Sequence, residues 1–533
     1  MTASTADHSQ SSAQLLTEQP RIATLTEGGH TAAFAQLLIF GFHGPLLWLA
    51  ANLRNGASSR DTLLVAGASV AVALSVYSLI SRIGFTRHRA LAVTSALLLA
   101  FWHWESLSLP LLGIPSEIGA LVLSGALVAT AYLNAERRFF RLAFLWVGTA
   151  LFAVSVILTA VRMYPATAST VSTRDPAFVA TIDRAPDVYF VVLDGYARSD
   201  VLQEIYGFDN RVFEGMLRSN GFEVAENATA NYSVTHFSLA STLGMDYVID
   251  PTRNVTQSDL QALRRTLVED NATLGILRDL DYEVVWGSEA WWGTECSGTF
   301  DLCLSTPFLT RTAYELLKGT PLSSLIYAET GDVATALTVG RLEEVIGWNP
   351  DLEFLSPRPD FVFLHFAVPH PPLFLDAECQ PRVNDFGDSR VISASLSLPT
   401  HVLDWRRHVG YVDQVICSNL IVEQLINNVD EEAAIVLISD HGPDSYAQLL
   451  RDPRSLNPHE VWERMSVLAA TRLPSDCDGV LPDDISLVNL MPVVMNCLFG
   501  SSIPVQADRH YLAPPTKFEI PLHAIVDPNQ GRP

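Results

Sequence analysis

Three apolar runs in this chain end in residues that can hold or move charge. "AAIVLISDHGPD" ends in Asp440 and His441, "DVYFVVLDGY" in Asp194, and "DFVFLHFAVPHPP" in His365, with His370 close behind. Runs this uniformly apolar read as strands buried on both faces of a parallel sheet. Ligands bind beyond the carboxyl ends of such strands, and a parallel sheet brings those ends to one edge. Two carboxylates and an imidazole suit one divalent cation, Mn²⁺, Mg²⁺ or Zn²⁺; a second metal is left open. Each residue alone also has a structural reading. Asp440 fits a cap, Asp194 a turn before Gly195, and His365 a hydrogen-bonded core histidine.

A cation with an open coordination position activates a nucleophile or polarises a phosphoryl oxygen. The sequence should therefore supply a hydroxyl at a strand–helix junction. "ATANYSVTHFSLASTLGM", residues 228–245, offers one. A polar run enters a helix of small residues whose backbone can approach a sheet closely. A hydroxyl at that helix N-terminus is favoured as an anion by the helix dipole; ordinary capping by Ser or Thr is the structural alternative.

The elements that would position these groups alternate. Strands are expected at 187–194, 282–287, 360–366, 433–439 and 466–473, and amphipathic helices at 209–219, 258–267, 271–280 and 404–427. That order implies an α/β fold, a helix–sheet–helix sandwich with a largely parallel sheet, over 187–512. Residues 163–186, rich in Ala, Thr, Ser and Pro, read as a linker, and 513–533 as a Pro-rich peripheral tail.

The front of the chain is different. Five stretches approach the ~20 apolar residues needed to cross a bilayer, at 32–53, 62–80, 90–109, 117–133 and 140–161. A transmembrane domain of five helices is thus expected over 31–162, after a polar tail at 1–30. The third ends in Trp102, His103, Trp104 and Glu105, an interfacial pattern. Arg21, Arg82, Arg87, Arg89, Arg137, Arg138 and Arg141 would lie on one side and only Arg54 and Arg60 on the other. The excess of positive charge marks the first side as cytoplasmic and puts everything after 162 outside the cell or in a periplasm. The first span reads as an uncleaved anchor rather than a signal peptide. All six cysteines fall in the outer part, an even count compatible with disulfides. Cys296 and Cys303 are near enough to close a small loop; the others have no deducible pairing.

Residues 163–533 hold 24 basic and 51 acidic residues, a net of −27. This excludes a nucleic-acid binder and adhesion to anionic headgroups by a basic patch. An anionic substrate would have to be drawn by a local charge such as a metal ion.

Taken together, "LDGY", "NYSVTHFSLAS", "LHFAVPHPP" and "SDHG" resemble the alkaline phosphatase superfamily, in particular its sulfatase-like membrane branch. Five spans followed by an outward domain are similar to the layout of lipoteichoic acid synthase and the lipid A phosphoethanolamine transferases. The resemblance implies an extracytoplasmic α/β/α sandwich of alkaline phosphatase/sulfatase type, with Asp194, Asp440 and His441 as metal ligands. It implies Thr235 as nucleophile and fourth ligand, with Ser238 three residues later as in the family's nucleophile motif. His365 and His370 match a pair that touches the substrate phosphate or a second metal, His370 also serving as acid. Asn231 would help orient the substrate.

Two departures qualify this. Formylglycine sulfatases need Cys or Ser followed by Arg, where this chain has Thr235 and Leu239, so it resembles the phosphotransferases. A further histidine expected after the Asp-His pair is replaced near Pro453, with His459 nearest. The implied activity is transfer of a phospho-substituent from a membrane phospholipid to an envelope glycan or lipid through a phosphothreonine. The rivals are a hydrolase of the same class and a degenerate domain that only binds an envelope component.

Overall fold

The computed structural model describes residues 19–53, 59–107, 116–163, 185–249, 254–255, 257–269, 271–288, 294, 300–304, 313, 316–317, 319–322, 358–371, 373, 375–380, 408–446, 451–513, 522–525 and 527–533. The chain divides into two compact units, Met1–Tyr164 with Thr312–Ser323, and Pro165–Arg311 with Ser324–Pro533.

The first unit is helical, with α1 (Gln19–Asn52), α2 (Ser59–Arg82), α3 (Arg87–Trp102), the short α4 (Trp104–Leu107), α5 (Ser116–Asn134) and α6 (Arg138–Met163). A helix covers each apolar stretch, but among the described residues three are long and apolar enough to cross a membrane, at Thr31–Asn52, Ser59–Arg82 and Arg138–Met163. The third expected span falls short because its helix stops at Trp102, with His103 as C-cap. Some polar groups in this unit are paired between helices. Pro45 cannot donate to the carbonyl of Gly41 one turn earlier, and Ser69 Oγ donates to that carbonyl at 3.3 Å. His43 lies between Ser155 Oγ (2.9 Å) and His103 Nε2 (2.8 Å), so a buried imidazole has a partner on both nitrogens.

The second unit contains a seven-stranded sheet with strands in the order β2-β7-β6-β1-β5-β3-β4. These are β1 (Val188–Leu193), β2 (Glu223–Val224), β3 (Glu283–Ser288), β4 (Leu302–Leu304), β5 (Asp360–Phe366), β6 (Ala434–Ile438) and β7 (Ala469–Arg472). From β4 through β6 the pairing is parallel, while β7 runs antiparallel to both β6 and β2. β8 (His510–Leu512) and β9 (His523–Ile525) form a separate antiparallel pair.

Alternate strand residues feed two cores. Phe190, Trp286, Phe361, Phe363 and Val436 face a layer that includes α9 (Thr235–Gly244), α10 (Gln257–Val268), α11 (Ala272–Asp279) and α14 (Leu487–Phe499). Tyr189, Val191, Val362, Leu364 and Leu437 face α7 (Ser199–Tyr206), α8 (Arg211–Ser219) and α12 (His408–Asn428). α13 (Pro458–Met465) contributes Met465 to the first core and Trp462 to the second. Burial on both faces is why β1, β5 and β6 read as unbroken apolar runs.

Disulfides join Cys379 to Cys417 and Cys477 to Cys497. Cys303 is also disulfide-bonded; Cys296, its expected loop partner, lies outside the described residues.

Candidate active site

The carboxyl ends of β1, β5 and β6 are adjacent by register, Val192 pairing with both His365 and Ile438. The Asp194 N–H donates to Phe366 O at 2.9 Å. Gly195 then turns with φ +71°, a conformation open to glycine, and its N–H donates to Asp440 Oδ1 at 3.1 Å. The Ser439 N–H donates to Leu468 O at 2.9 Å, carrying Asp440 and His441 to the same edge.

α9 delivers the hydroxyl. Val234 is extended before it and Thr235 is its first residue. Ala, Ser and Leu along "SLAS" let the helix pack tightly, and Ser238 Oγ donates to Asp440 O at 2.6 Å, fixing helix to loop. Thr235 Oγ1 lies 3.0 Å from His441 Nε2. That nitrogen is also 3.5 Å from Asp194 Oδ1 and 3.3 Å from Asp440 Oδ2, and His365 Nε2 is 3.5 Å from Asp194 Oδ2. His441 Nδ1 is 3.0 Å from Gly442 O. A carbonyl only accepts, so Nδ1 carries the proton and Nε2 presents its lone pair to Thr235 and the carboxylates.

Asp194, Asp440 and His441 offer ligand atoms within 4.8 Å of one another, all three residues buried. Both Asp194 carboxylate oxygens and Asp440 Oδ2 have no hydrogen-bond partner among the described residues. Buried carboxylate oxygens without donors are costly, and a divalent cation bound by this set would satisfy all of them. The donor set of two carboxylates and one neutral imidazole fits such an ion.

The protonation preferences agree. Burial opposes ionisation of Asp194, but the neighbouring His370, His365 and His441 hold its carboxyl below the usual range. Burial and the Asp194 charge push Asp440 up, to about 7. Burial, with Arg464 nearby, holds His441 well below the ordinary imidazole range, and burial also lowers His370.

His370 stands beside this group, its ring 6.2 Å from that of His441 and its Nδ1 2.6 Å from Pro371 O. Asn231 is placed differently. Its amide donates to Arg509 O (2.9 Å) and Tyr247 OH (3.2 Å) and accepts from the Val488 N–H (2.7 Å), so it ties chain segments together. His459 packs on Trp462 and Tyr446, with Nδ1 3.3 Å from Gly531 O. Thr294, which no sequence pattern singled out, sits with Oγ1 3.0 Å from His365 Nδ1 and 2.6 Å from Ser288 Oγ. Its only local signal is a hydroxyl in the Trp- and Gly-containing stretch of sequence that follows β3.

The sulfatase family model matches residues 216–522, more than half of the 533 and inclusive of Thr235, His365, His370, Asp440 and His441. The chain belongs to the sulfatase family. This sulfatase-family chain matches solved structures at low identity. The C-terminal periplasmic domain of EcEptC from Escherichia coli, in complex with Zn, is 13% identical at a TM-score of 0.41, over 67% of this chain and 99% of that one. The integral membrane lipooligosaccharide phosphoethanolamine transferase A of Neisseria meningitidis is 13% identical at a TM-score of 0.36, over 89% and 96%. The phosphonate monoester hydrolase of Agrobacterium radiobacter is 14% identical at a TM-score of 0.38, over 61% and 75%. No curated protein matches the chain.

Proposed function

We propose that this protein is a membrane-anchored, metal-dependent phosphotransferase, moving a phospho-substituent from a phospholipid to a glycan or lipid of the cell envelope. The observation that carries this reading is the Thr235 hydroxyl at the start of α9, 3.0 Å from His441 Nε2 and beside two buried carboxylates short of donors. Asp194, Asp440 and His441 would hold one divalent cation. When bound, it supplies Lewis acidity toward a phosphoryl oxygen and lowers the pKa of a nearby hydroxyl.

Thr235 Oγ1 is the nucleophile. It forms a bond to the donor phosphorus as the bond from phosphorus to the diacylglycerol oxygen breaks. The threonine gives up its proton and the departing oxygen gains one. His370, whose Nδ1–H is committed to Pro371 O, would take the Thr235 proton on Nε2 and, as the imidazolium so formed, serve as anion clamp and as the acid that returns the proton to the departing oxygen. His365, held at Nδ1 by Thr294, would present Nε2 to Asp194 and the phosphate side. In the second step an acceptor hydroxyl attacks the phosphothreonine and restores Thr235. Water in that place would make the protein a hydrolase. Threonine cannot form the formylglycine aldehyde, so sulfate-ester chemistry of that kind is outside this reading.

Anchoring supports a lipid donor. Five spans over 31–162, with the N-terminus cytoplasmic and 187–512 outside, would keep the site near the headgroups. Intact-mass and peptide spectrometry of the purified chain, after incubation with mixed phospholipid vesicles and Mn²⁺, Mg²⁺ or Zn²⁺, tests the proposal. A metal-dependent adduct on the Thr235 peptide is expected, its mass giving the transferred group. No adduct with any lipid or ion would sink the phospholipid donor.

A further inference from the structure

The turn that carries Thr235 and the loop that carries His441 are far apart in sequence, yet one side chain holds both. Arg464, the penultimate residue of α13, is 1% exposed. Its Nε and Nη2 donate to Ser233 O at 2.9 and 2.6 Å. Its Nη1 donates to Gly442 O at 2.6 Å, and its own carbonyl accepts from the Gly442 N–H at 2.8 Å. Ser233 lies two residues before Thr235, and Gly442 directly follows His441. The Gly442 carbonyl is also the one that takes the His441 Nδ1 proton. One guanidinium therefore bears on the approach of the nucleophile and on the orientation of a metal ligand. Side-chain volume alone does not account for an arginine here, since an apolar residue of similar size fills a core without the desolvation cost of a cation.

We propose that Arg464 is a positioning residue that sets the separation between the Thr235 turn and the His441 loop, and so determines whether the Thr235 oxygen reaches the cation position. The inference rests on the reading of Thr235, Asp194, Asp440 and His441 given above. The guanidinium's fork is what the task needs. A lysine ammonium keeps the charge but cannot address two carbonyls with the same rigid geometry.

The test uses the full chain in detergent, loaded with Co²⁺ as a spectroscopic probe, in wild-type, Thr235→Val, Arg464→Lys and Arg464→Met forms. The wild-type ligand-field spectrum should differ from that of Thr235→Val, which lacks the oxygen. Arg464→Lys should unfold cooperatively and lose no more than about tenfold in Co²⁺ affinity, yet show the Thr235→Val spectrum. An Arg464→Lys spectrum equal to wild type, where Thr235→Val differs, would overturn the role of Arg464 alone. Coincident wild-type and Thr235→Val spectra would instead remove Thr235 from the cation, and the proposed function with it. Loss of cooperative unfolding in both Arg464 variants would make the residue a general support of the core and overturn a site-specific role.

Discussion

The two ends of the sheet both gather acidic residues, and they gather them differently. At the amino end, Asp187, Glu283 and Asp360 lie at the starts of β1, β3 and β5. An arginine answers one of them there. Arg358 bonds Glu283 and, at 3.5 Å, Asp281, while Arg472 Nη2 donates to the Asp430 carbonyl at 2.7 Å. At the carboxyl end, Asp194 and Asp440 are 1% and 0% exposed, and their close neighbours are imidazoles rather than guanidiniums. Arg464, the nearby cation, has its fork on carbonyls. Acidic clustering at strand ends therefore says little by itself. Asp360 Oδ1 at the amino end is also buried without a hydrogen-bond partner among the described residues, so one such oxygen is not the mark. What marks the carboxyl end for chemistry is three of them on two carboxylates, gathered beside imidazoles and the Thr235 hydroxyl.

That contrast can be tested by breaking each edge. The largest effect is expected for Thr235→Ala, which should lower turnover by about 10³-fold or more with the fold retained by circular dichroism. Wild-type turnover would remove Thr235 as nucleophile. Asp440→Asn should cost more than about 100-fold in metal affinity by titration calorimetry. The metal-free protein should melt no lower than wild type, since a buried like-charge pair is relieved. Unchanged affinity would take Asp440 out of the ligand set. Gly442→Ala probes the loop itself. A Cβ there would sit 2.0 Å from Glu463 O, a backbone overlap expected to cost about 3 kcal/mol in a denaturant titration.

The smallest effect sharpens the comparison from the amino end. Burial, with Asp187 and Glu283 near, pushes Asp360 up to about 7. The folded state then keeps a proton that the unfolded chain releases above the ordinary carboxylate pKa. Stability contributed by this group is thus present at low pH and lost as pH rises through about 7. Asp360→Asn should raise the melting temperature at pH 8, on the order of 2 °C, more than at pH 5, and leave turnover unchanged. A loss of turnover would erase the distinction between the two edges.

What was legible in the sequence follows from how local each signal is. β1, β5 and β6 were expected within a residue of their observed bounds because each is a closed apolar run ending in a polar group. Their carboxyl ends are where Asp194, His365, Asp440 and His441 were sought and where they converge. The two- and three-residue strands β2 and β4 carry no periodicity to read. Nor does the reversed direction of β7, since a buried strand looks alike in either sense. Asn231 sits in the right motif, yet its amide is committed to Tyr247, Val488 and Arg509. Thr294 and Arg464 escaped because each acts through contacts with residues remote in sequence, His365 for one and Ser233 and Gly442 for the other.

The strand β8 has an implication for what keeps the Thr235 turn in place. Tyr511 O accepts from the Ser233 N–H at 3.2 Å and the Tyr511 N–H donates to Asn231 O at 2.9 Å, while the Ala513 N–H donates to Ser233 Oγ at 2.9 Å. Nearer the end, Asn529 accepts from Arg198 at 3.0 Å and Arg532 pairs with Asp200 at 3.0 Å. The approach to Thr235 is therefore held by a segment remote from it in sequence. Clipping the chain between α14 and β8 would release that hold on Ser233 without cutting any strand of the seven-stranded sheet.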